Sequence, residues 1–463
     1  MTTAEIIGFP STTASSSDVL LIKYNSYQEF YPFLYNSNNG NDSHKVWDKS
    51  IVIIANKVFR KVYISPYINK EYVNVTMLSG HYEFLVYKNI IKPLLDYNIS
   101  PHFIRYYRIV ENLPVKDYIK ELTTLDNKIS EASILRNIGY LYASEKNRPS
   151  INVPFTITSD YTFYNNIKNN FKINYIDMMA IDTNNTIDFS TYIKTYFPNN
   201  KFIPKYQISE MFVIYFQVLQ ALYALYLSRT CHNDMRAGNI WITRRSKRVK
   251  VQYNINGKVY KINTDICVRI FDFDRAYSEK LGDNPLLNGK SCNIDSQCNK
   301  LISFKDYIKF NCYINFYLSQ KNIPNLDKIL PLNKYLDQFY TESCFLTSSK
   351  SKISDTEYDK VTGLIISQLA GDSLPTNTQK RTTNKKGFIE NILDFIKISK
   401  SSRQKTIRKE DDIYPLLLDY FYSKIDEINK YKTTSGDFEY TCNKNFFSNG
   451  NLVQKDYNCC ETT

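Results

Sequence analysis

The chain is poor in histidine, glycine and paired cysteine. Four histidines among 463 residues and no CxxC pair leave no spacing that suits a structural zinc site. The nine cysteines are odd in number and run from Cys231 to Cys460. Cys292 and Cys298 sit six apart in a polar loop, Cys459 and Cys460 are adjacent, and the set reads as mostly free thiols of a reducing compartment. The opening stretch "MTTAEIIGFPSTTASSSD" has neither a basic nor an apolar region of the kind a secretory signal needs. Only Met211 to Leu227 combines a lack of charge with a length near that of a membrane span. Gln217 and Gln220 interrupt it, Glu210 and Arg229 bound it, and it reads as a helix buried in a soluble protein, so no membrane span is expected. No internal repeat is visible.

What is present is enough for a large core: 43% apolar residues, with 39 Tyr and 27 Phe. The length suits two or three domains, or one two-lobed enzyme. A net charge of +13 favours acidic partners such as nucleotides, nucleic acid or acidic proteins, against the plainer reading of a solvated lysine-rich surface.

Residues 1–45 read as an irregular segment, with Ser/Thr and Asn/Gly clusters around one helical patch. "SIVIIANKVFRKVYI" follows as two β-rich runs with a turn at Asn56-Lys57. "GHYEFLVYKNIIKPLLDY" has helical apolar spacing despite Pro93, and "SPHFIRYYRIV" reads as a strand. A mixed insertion near 110–170 precedes the strand candidate "FKINYIDMMAID". "TIDFSTYIKTY" starts a short helix, and a long helix then runs from Ser209 to about Ser228. Residues 244–265 form a basic hairpin insertion turning at Asn256-Gly257. Beyond 330 further helices are expected, with Ile389, Ile392, Leu393 and Ile396 on an inward face and a disordered break at 371–387.

The chemistry concentrates after the long helix. "CHNDMRAGNIWI" holds His232, Asp234 and Asn239 as H-x-D-x-x-x-x-N, and "RIFDFDRAY" holds Asp272 and Asp274. Phosphoryl transfer needs a carboxylate to orient a hydroxyl and hard oxygen ligands for magnesium. Asp234 suits the first task, and Asn239 with Asp272 the second. "NIWI" and "CVRIF" can pair as two small strands, which brings Asp272 beside Asn239 and makes the insertion between them a protruding hairpin.

These motifs resemble the catalytic loop and the D-F-G metal motif of the protein-kinase-like fold. Asn233 stands in place of the usual Arg, and Asp274 in place of Gly. With the Cys-containing loop "SCNIDSQCN" and the Asn-, Lys-, Ile- and Tyr-rich composition, the chain looks most like the serine/threonine kinases of giant DNA viruses. The resemblance covers about 50–330 and implies an α+β, two-lobed fold. It implies a β-rich lobe over 46–181 and a mainly helical lobe over 182–463. It also implies ATP and Mg2+ as cofactors, a protein substrate, and Arg236 as a contact to the transferred phosphoryl group. In the first lobe it calls for a nucleotide lysine and a helix glutamate. Glu83 suits the latter; Lys61 is favoured over Lys57 for the former. Met178, Met179 and Ile181 would line the adenine slot, and Asp306 is either a brace for the catalytic loop or a surface acid.

The pattern departs from the family in two places. No G-x-G-x-x-G occurs, with only Gly40 near the expected place, and no A-P-E run follows "DFD". Two other functions therefore stay open: a small-molecule kinase of the choline or aminoglycoside type, and a non-catalytic kinase-shaped module. The basic residues Arg244, Arg245, Lys247, Arg248 and Lys250 offer a surface for an acidic or nucleic-acid partner, against that of a solvated hairpin. A cytoplasmic or virion location is expected.

Overall fold

A computed structural model describes residues 4–8, 18–24, 57–66, 73–97, 99–146, 161–179, 185–287, 298–301, 305–319, 321–329 and 413–430, with short strands at 440–442, 447–448 and 451–452. They fall into two units of mixed helix and largely antiparallel sheet. The first comprises 1–96, 104–186 and 284–286, and the second comprises 97–103, 187–283 and 287–463.

The first unit is built on an antiparallel sheet of β1 (Ala4–Gly8), β2 (Asp18–Tyr24), β3 (Lys57–Pro66), β4 (Tyr106–Pro114) and β5 (Phe171–Met179), ordered β1-β2-β3-β5-β4. β1 and β2 correct the expectation of irregular structure at 4–8 and 18–24, while the remainder of 1–45 lies outside the described residues. Leu20 and Ile22 alternate with less buried neighbours, the period-two pattern of a strand. The signal is short and flanked by Ser/Thr-rich sequence, which hid it. Lys57 likewise lies in β3, paired with Lys23, and not in a turn.

Both faces of this sheet are covered. On one lies helix α1 (Val73–Val86), which continues through a π-helical turn at Tyr87–Ile91 into α2 (Lys92–Asp96). Pro93 has no N–H to give, and the widened turn just before it, where Lys92 N–H bonds to the Tyr87 carbonyl, lets the helix continue. On the other face lies the insertion, as α3 (Val115–Leu125), with α4 (Glu131–Lys146) and α5 (Tyr161–Asn170) beyond it. Arg60, fully buried, pairs with Asp177 across β3 and β5 at 2.7 Å, reaches Glu121 of α3 at 3.0 Å and lies 3.9 Å from the centre of the Tyr175 ring. A buried cation is tolerable only because so many partners meet it.

The second unit is organised around α7 (Lys205–Leu227), buried along nearly its whole length as expected of a core helix. α6 (Phe189–Tyr196) precedes it, its N-terminus capped by Asp188, which accepts the Thr191 N–H at 3.0 Å. The two glutamines that break the apolar run each bind backbone. Gln217 donates to the Ile266 carbonyl (2.9 Å) and accepts from Val268 N–H (2.8 Å), and Gln220 donates to the Ile99 carbonyl (2.7 Å). After α7 come β6 (Thr230–Cys231), the hairpin β7 (Ile240–Ile255) and β8 (Lys258–Ile270), and β9 (Tyr277–Ser278), which pairs with β6. Asn256 (φ 48°) and Gly257 (φ 77°) make the tight hairpin turn, a left-handed pair that this dipeptide adopts readily. α8 (Lys305–Ser319) and α9 (Ile413–Lys424) complete the described core.

The hairpin does not protrude, contrary to expectation. Tyr253 and Tyr260 are buried against Phe216 of α7, and Tyr260 donates to Asp419 of α9. Aromatic residues spaced along both strands gave the insertion an apolar face that a charge-based reading overlooked. Arg244 is also less available than expected, since Glu210 and Asp265 hold it at 2.9 and 2.7 Å. The thiol reading needs amendment: Cys231 and Cys267 are free and buried, but Cys298 is disulfide-bonded, a pairing that spacing alone does not report. Gly40 and the expected features at 371–387 and 389–396 lie outside the described residues.

The segment 99–103 docks on β8 through His102. Its Nδ1 faces the Val268 carbonyl and its Nε2 the Tyr253 hydroxyl, both at 3.0 Å, while its own carbonyl accepts the Ile270 N–H at 2.9 Å. Full burial and the nearby Arg269 charge hold this imidazole's pKa down at about 3. An unfolded histidine titrates near 6.5, so below that pH the unfolded chain binds a proton that the folded one refuses. The contribution of His102 is complete above about pH 6.5 and fades as pH falls toward 3, by about 2 kcal/mol at pH 5. His102→Gln should flatten the fall in urea midpoint between pH 7 and 5 relative to wild type; parallel curves would contradict this.

Candidate active site

In the second unit the turn between β6 and β7 has little regular structure and is held by side chains. Asp306, at the start of α8 and 5% exposed, accepts the backbone N–H groups of His232 and Asn233 at 2.7 Å each. Of the two readings open for it, the geometry is that of the brace. Asn233 lies in the left-handed region (φ 64°), which asparagine visits more easily than most residues, and this aims two successive N–H groups at one carboxylate. Its side-chain amide donates to the carbonyls of Arg275 and Cys298, both at 2.9 Å.

His232 is fully buried. Its Nε2 donates to the Phe271 carbonyl at 2.9 Å, and its Nδ1 lies 3.3 Å from the Asp234 N–H. Those partners select the tautomer with the proton on Nε2. The ring packs 4.7 Å from Phe273, which in turn packs on Phe103. The turn is thus joined to the "FDFD" segment by a hydrogen bond and a ring contact.

The ladder does the rest. Ile240 pairs with Ile270, and Phe271 N–H bonds to the Asn239 carbonyl at 3.2 Å. Asn239 and Asp272 therefore sit at the same end of the β7–β8 hairpin, one beyond each strand. Asp272 is left-handed as well (φ 70°), which breaks the strand there. The Asn239 amide nitrogen donates to the Asp234 carbonyl (2.8 Å) and to its Oδ2 (3.1 Å), which leaves the amide oxygen as the atom turned away from that carboxylate. Among the described residues no group of three His, Cys, Asp or Glu side chains gathers in one place. An amide and a carboxylate oxygen suit magnesium, which is commonly held by one or two protein oxygens and completed by phosphate and water.

Asp234 is 4% exposed. Its Oδ2 takes Arg236 at 2.7 Å, and its Oδ1 lies 3.8 Å from the Lys309 ammonium. Burial pushes its pKa up, but Lys309 and Arg236, with Arg275, outweigh that and hold it at about 2. It is an anion at any physiological pH. Arg236, held charged by Asp234 and by the nearby Asp272, remains 46% exposed in its side chain.

In the first unit, Lys61 and Glu83 meet. The ammonium donates to Glu83 at 2.8 and 3.1 Å, and Tyr63, on the same face of β3, donates its hydroxyl to the same carboxylate. Met178 is buried on that face of the sheet, its partner across the ladder being Phe59. Met179 follows it on β5, opposite Val58, and Ile181 lies outside the described residues. Sequence reasoning missed Tyr63 and Gly80. A Cβ at Gly80 would lie 2.9 Å from the Tyr63 ring, so the glycine is what lets α1 approach β3 closely enough for Glu83 to reach Lys61. It missed Lys309 as well, which only the folded chain brings to Asp234.

No family model matches the chain, and no curated protein is significantly similar to it. Among solved structures, it is similar to the Rad53 kinase domain with SCD2, at 11% identity and TM-score 0.31, covering 94% of this chain and 92% of that one. It is also similar to the kinase domain of a Plasmodium protein, at 10% identity and TM-score 0.31, covering 92% and 90%. At those scores the likeness carries no functional weight, which rests on the geometry of the turn.

Two substitutions test that geometry. Gly80→Ala should cost about 1–3 kcal/mol, the usual range for overpacking, read as a lower melting temperature; an unchanged melt would contradict the close approach. Asp306→Asn replaces one acceptor oxygen by an amide NH2, a donor facing a buried N–H. It should destabilise the protein by about 1–3 kcal/mol in chemical denaturation, and a neutral result would show that the brace is unimportant.

Proposed function

We propose that the chain is a kinase that uses ATP and magnesium to phosphorylate serine and threonine hydroxyls of a protein substrate. The observation that carries this reading is the convergence of Asp234, Asn239 and Asp272 at one end of the β7–β8 hairpin, around a turn braced by a helix carboxylate. Magnesium, when bound, would neutralise the nucleotide's phosphate oxygens, with Asn239 and Asp272 as its protein ligands. Asp234 orients the acceptor hydroxyl, and Arg236 stabilises charge on the transferring group after leaving its ion pair. In the first unit, Lys61, held by Glu83, binds nucleotide phosphate, and Met178 and Met179 lie on the strand assigned to adenine binding.

On this reading the phosphate-covering loop is assigned to the connection between β1 and β2, residues 9–17, which, like Gly40, lies outside the described residues. That stretch reads "FPSTTASSS", with hydroxyl side chains where glycine is usual. The choice of a protein acceptor and of serine or threonine, like the likeness to giant-virus kinases, rests on the motif resemblance and composition. A cytoplasmic or virion setting is part of the same proposal. An acidic partner would use Arg245, Lys247, Arg248 and Lys250, with Arg244 already neutralised.

Asn233 and Asp274 favour a second reading, a small-molecule kinase of the choline or aminoglycoside type. Transfer of labelled phosphate from ATP to generic protein substrates, with amino alcohols and aminoglycosides in parallel, separates the two. Asp234→Asn should lower kcat by about 100-fold or more with nucleotide binding intact, while Asp272→Ala should abolish magnesium-dependent nucleotide binding. Asp234→Asn indistinguishable from wild type would instead mark a non-catalytic module.

A further inference from the structure

Helix α8 follows the catalytic turn with three side chains of one stripe. Asp306 takes the N–H groups of His232 and Asn233. Three residues on, Lys309 donates to the Asn233 carbonyl at 3.0 Å and lies 3.8 Å from Asp234 Oδ1. Four further on, Tyr313 lies close enough to Arg236 to raise its pKa. This i, i+3, i+7 spacing keeps the three on one helix face, so successive turns of α8 meet successive residues of the catalytic turn.

Lys309 is not explained by packing. It is 2% exposed, so its charge has been taken out of water. A buried ion pair is often no more stabilising than an apolar side chain of the same size, so one that persists invites a functional account. Its contacts supply one. The two oxygens of Asp234 have different surroundings: Oδ1 faces the buried ammonium from α8, and Oδ2 faces Asn239 and the half-exposed Arg236.

We propose that Lys309 is a positioning residue for Asp234: it clamps the Asn233 carbonyl and the Oδ1 edge of the carboxylate to α8, so that Oδ2 is the edge presented to the acceptor hydroxyl. The acceptor then needs to displace only the Arg236 side chain. This assignment rests on the kinase reading of the site, and acts on the transfer step, since Lys309 meets the Asn233 carbonyl and the Asp234 carboxylate.

The test compares the full chain with Lys309→Met, Lys309→Arg and Leu318→Ala, the last a core truncation further along α8 where Leu318 is fully buried. Steady-state kcat, KM for ATP and melting temperature are measured for each. Lys309→Met should lower kcat by about 10- to 100-fold, as a misplaced catalytic group does, with KM for ATP unchanged. Lys309→Arg should recover part of the loss. Leu318→Ala should lower the melting temperature and leave kcat alone. Wild-type kcat in Lys309→Met overturns the assignment, as does an equal kcat loss in Leu318→Ala. Should Lys309→Met not fold, Lys309→Gln, which keeps a donor for the Asn233 carbonyl but no charge, is judged by the same criteria. An active wild type with unaffected Lys309 variants defeats the Lys309 assignment alone; a wild type that transfers no phosphoryl group defeats the kinase reading, and the assignment with it.

Discussion

One carboxylate holds the site together. Asp306 accepts two consecutive backbone N–H groups at 2.7 Å, and the turn that carries Asp234 follows from that constraint. Bonds of this charge-assisted kind are among the stronger ones a protein makes. They place Asn233 in a left-handed conformation and direct the His232 ring to the Phe271 carbonyl. The strand ladder then sets Asn239 and Asp272 at the same end of the hairpin. An irregular turn has no ladder of its own, so its precision must come from elements that do: α8 below and the β7–β8 hairpin beside it.

The same logic runs through the rest of the chain. Polar side chains appear inside apolar elements where a backbone group needs a partner. Gln217 and Gln220 connect the core helix to β8 and to the segment at 99–103. In the first unit the sheet is covered on both faces, and each face has its own buried cation. Lys61 meets Glu83 on one side, and Arg60 meets Asp177 and Glu121 on the other. Adjacent residues of one strand thus anchor two separate ion-pair networks, one on each face.

How much of this was legible in the sequence depended on how local each interaction is. The turn motif could be read because His232, Asp234 and Asn239 lie within eight residues, and Asp272 because apolar runs flank it. The Lys61–Glu83 pair was expected only because the kinase resemblance calls for a lysine and a helix glutamate; strand position then favoured Lys61 over Lys57. Asp306 could only be left as one of two alternatives, since its partners are 74 and 73 residues away. Gly80, Tyr63 and Lys309 carry no local signal, because their roles exist only once α1 meets β3 and α8 meets the turn. β1 and β2 were missed because they are short, and the hairpin was misplaced because its charges were weighed and its tyrosines were not.

The central claim is that the Asn239 amide oxygen and the Asp272 carboxylate share one divalent ion that grips a nucleotide. A crystal structure of the protein soaked with magnesium and a non-hydrolysable ATP analogue tests it most directly. The account predicts both oxygens on a single magnesium at about 2.1 Å, with the analogue's phosphates completing its shell. Nucleotide bound elsewhere, or a metal held by neither residue, would contradict it.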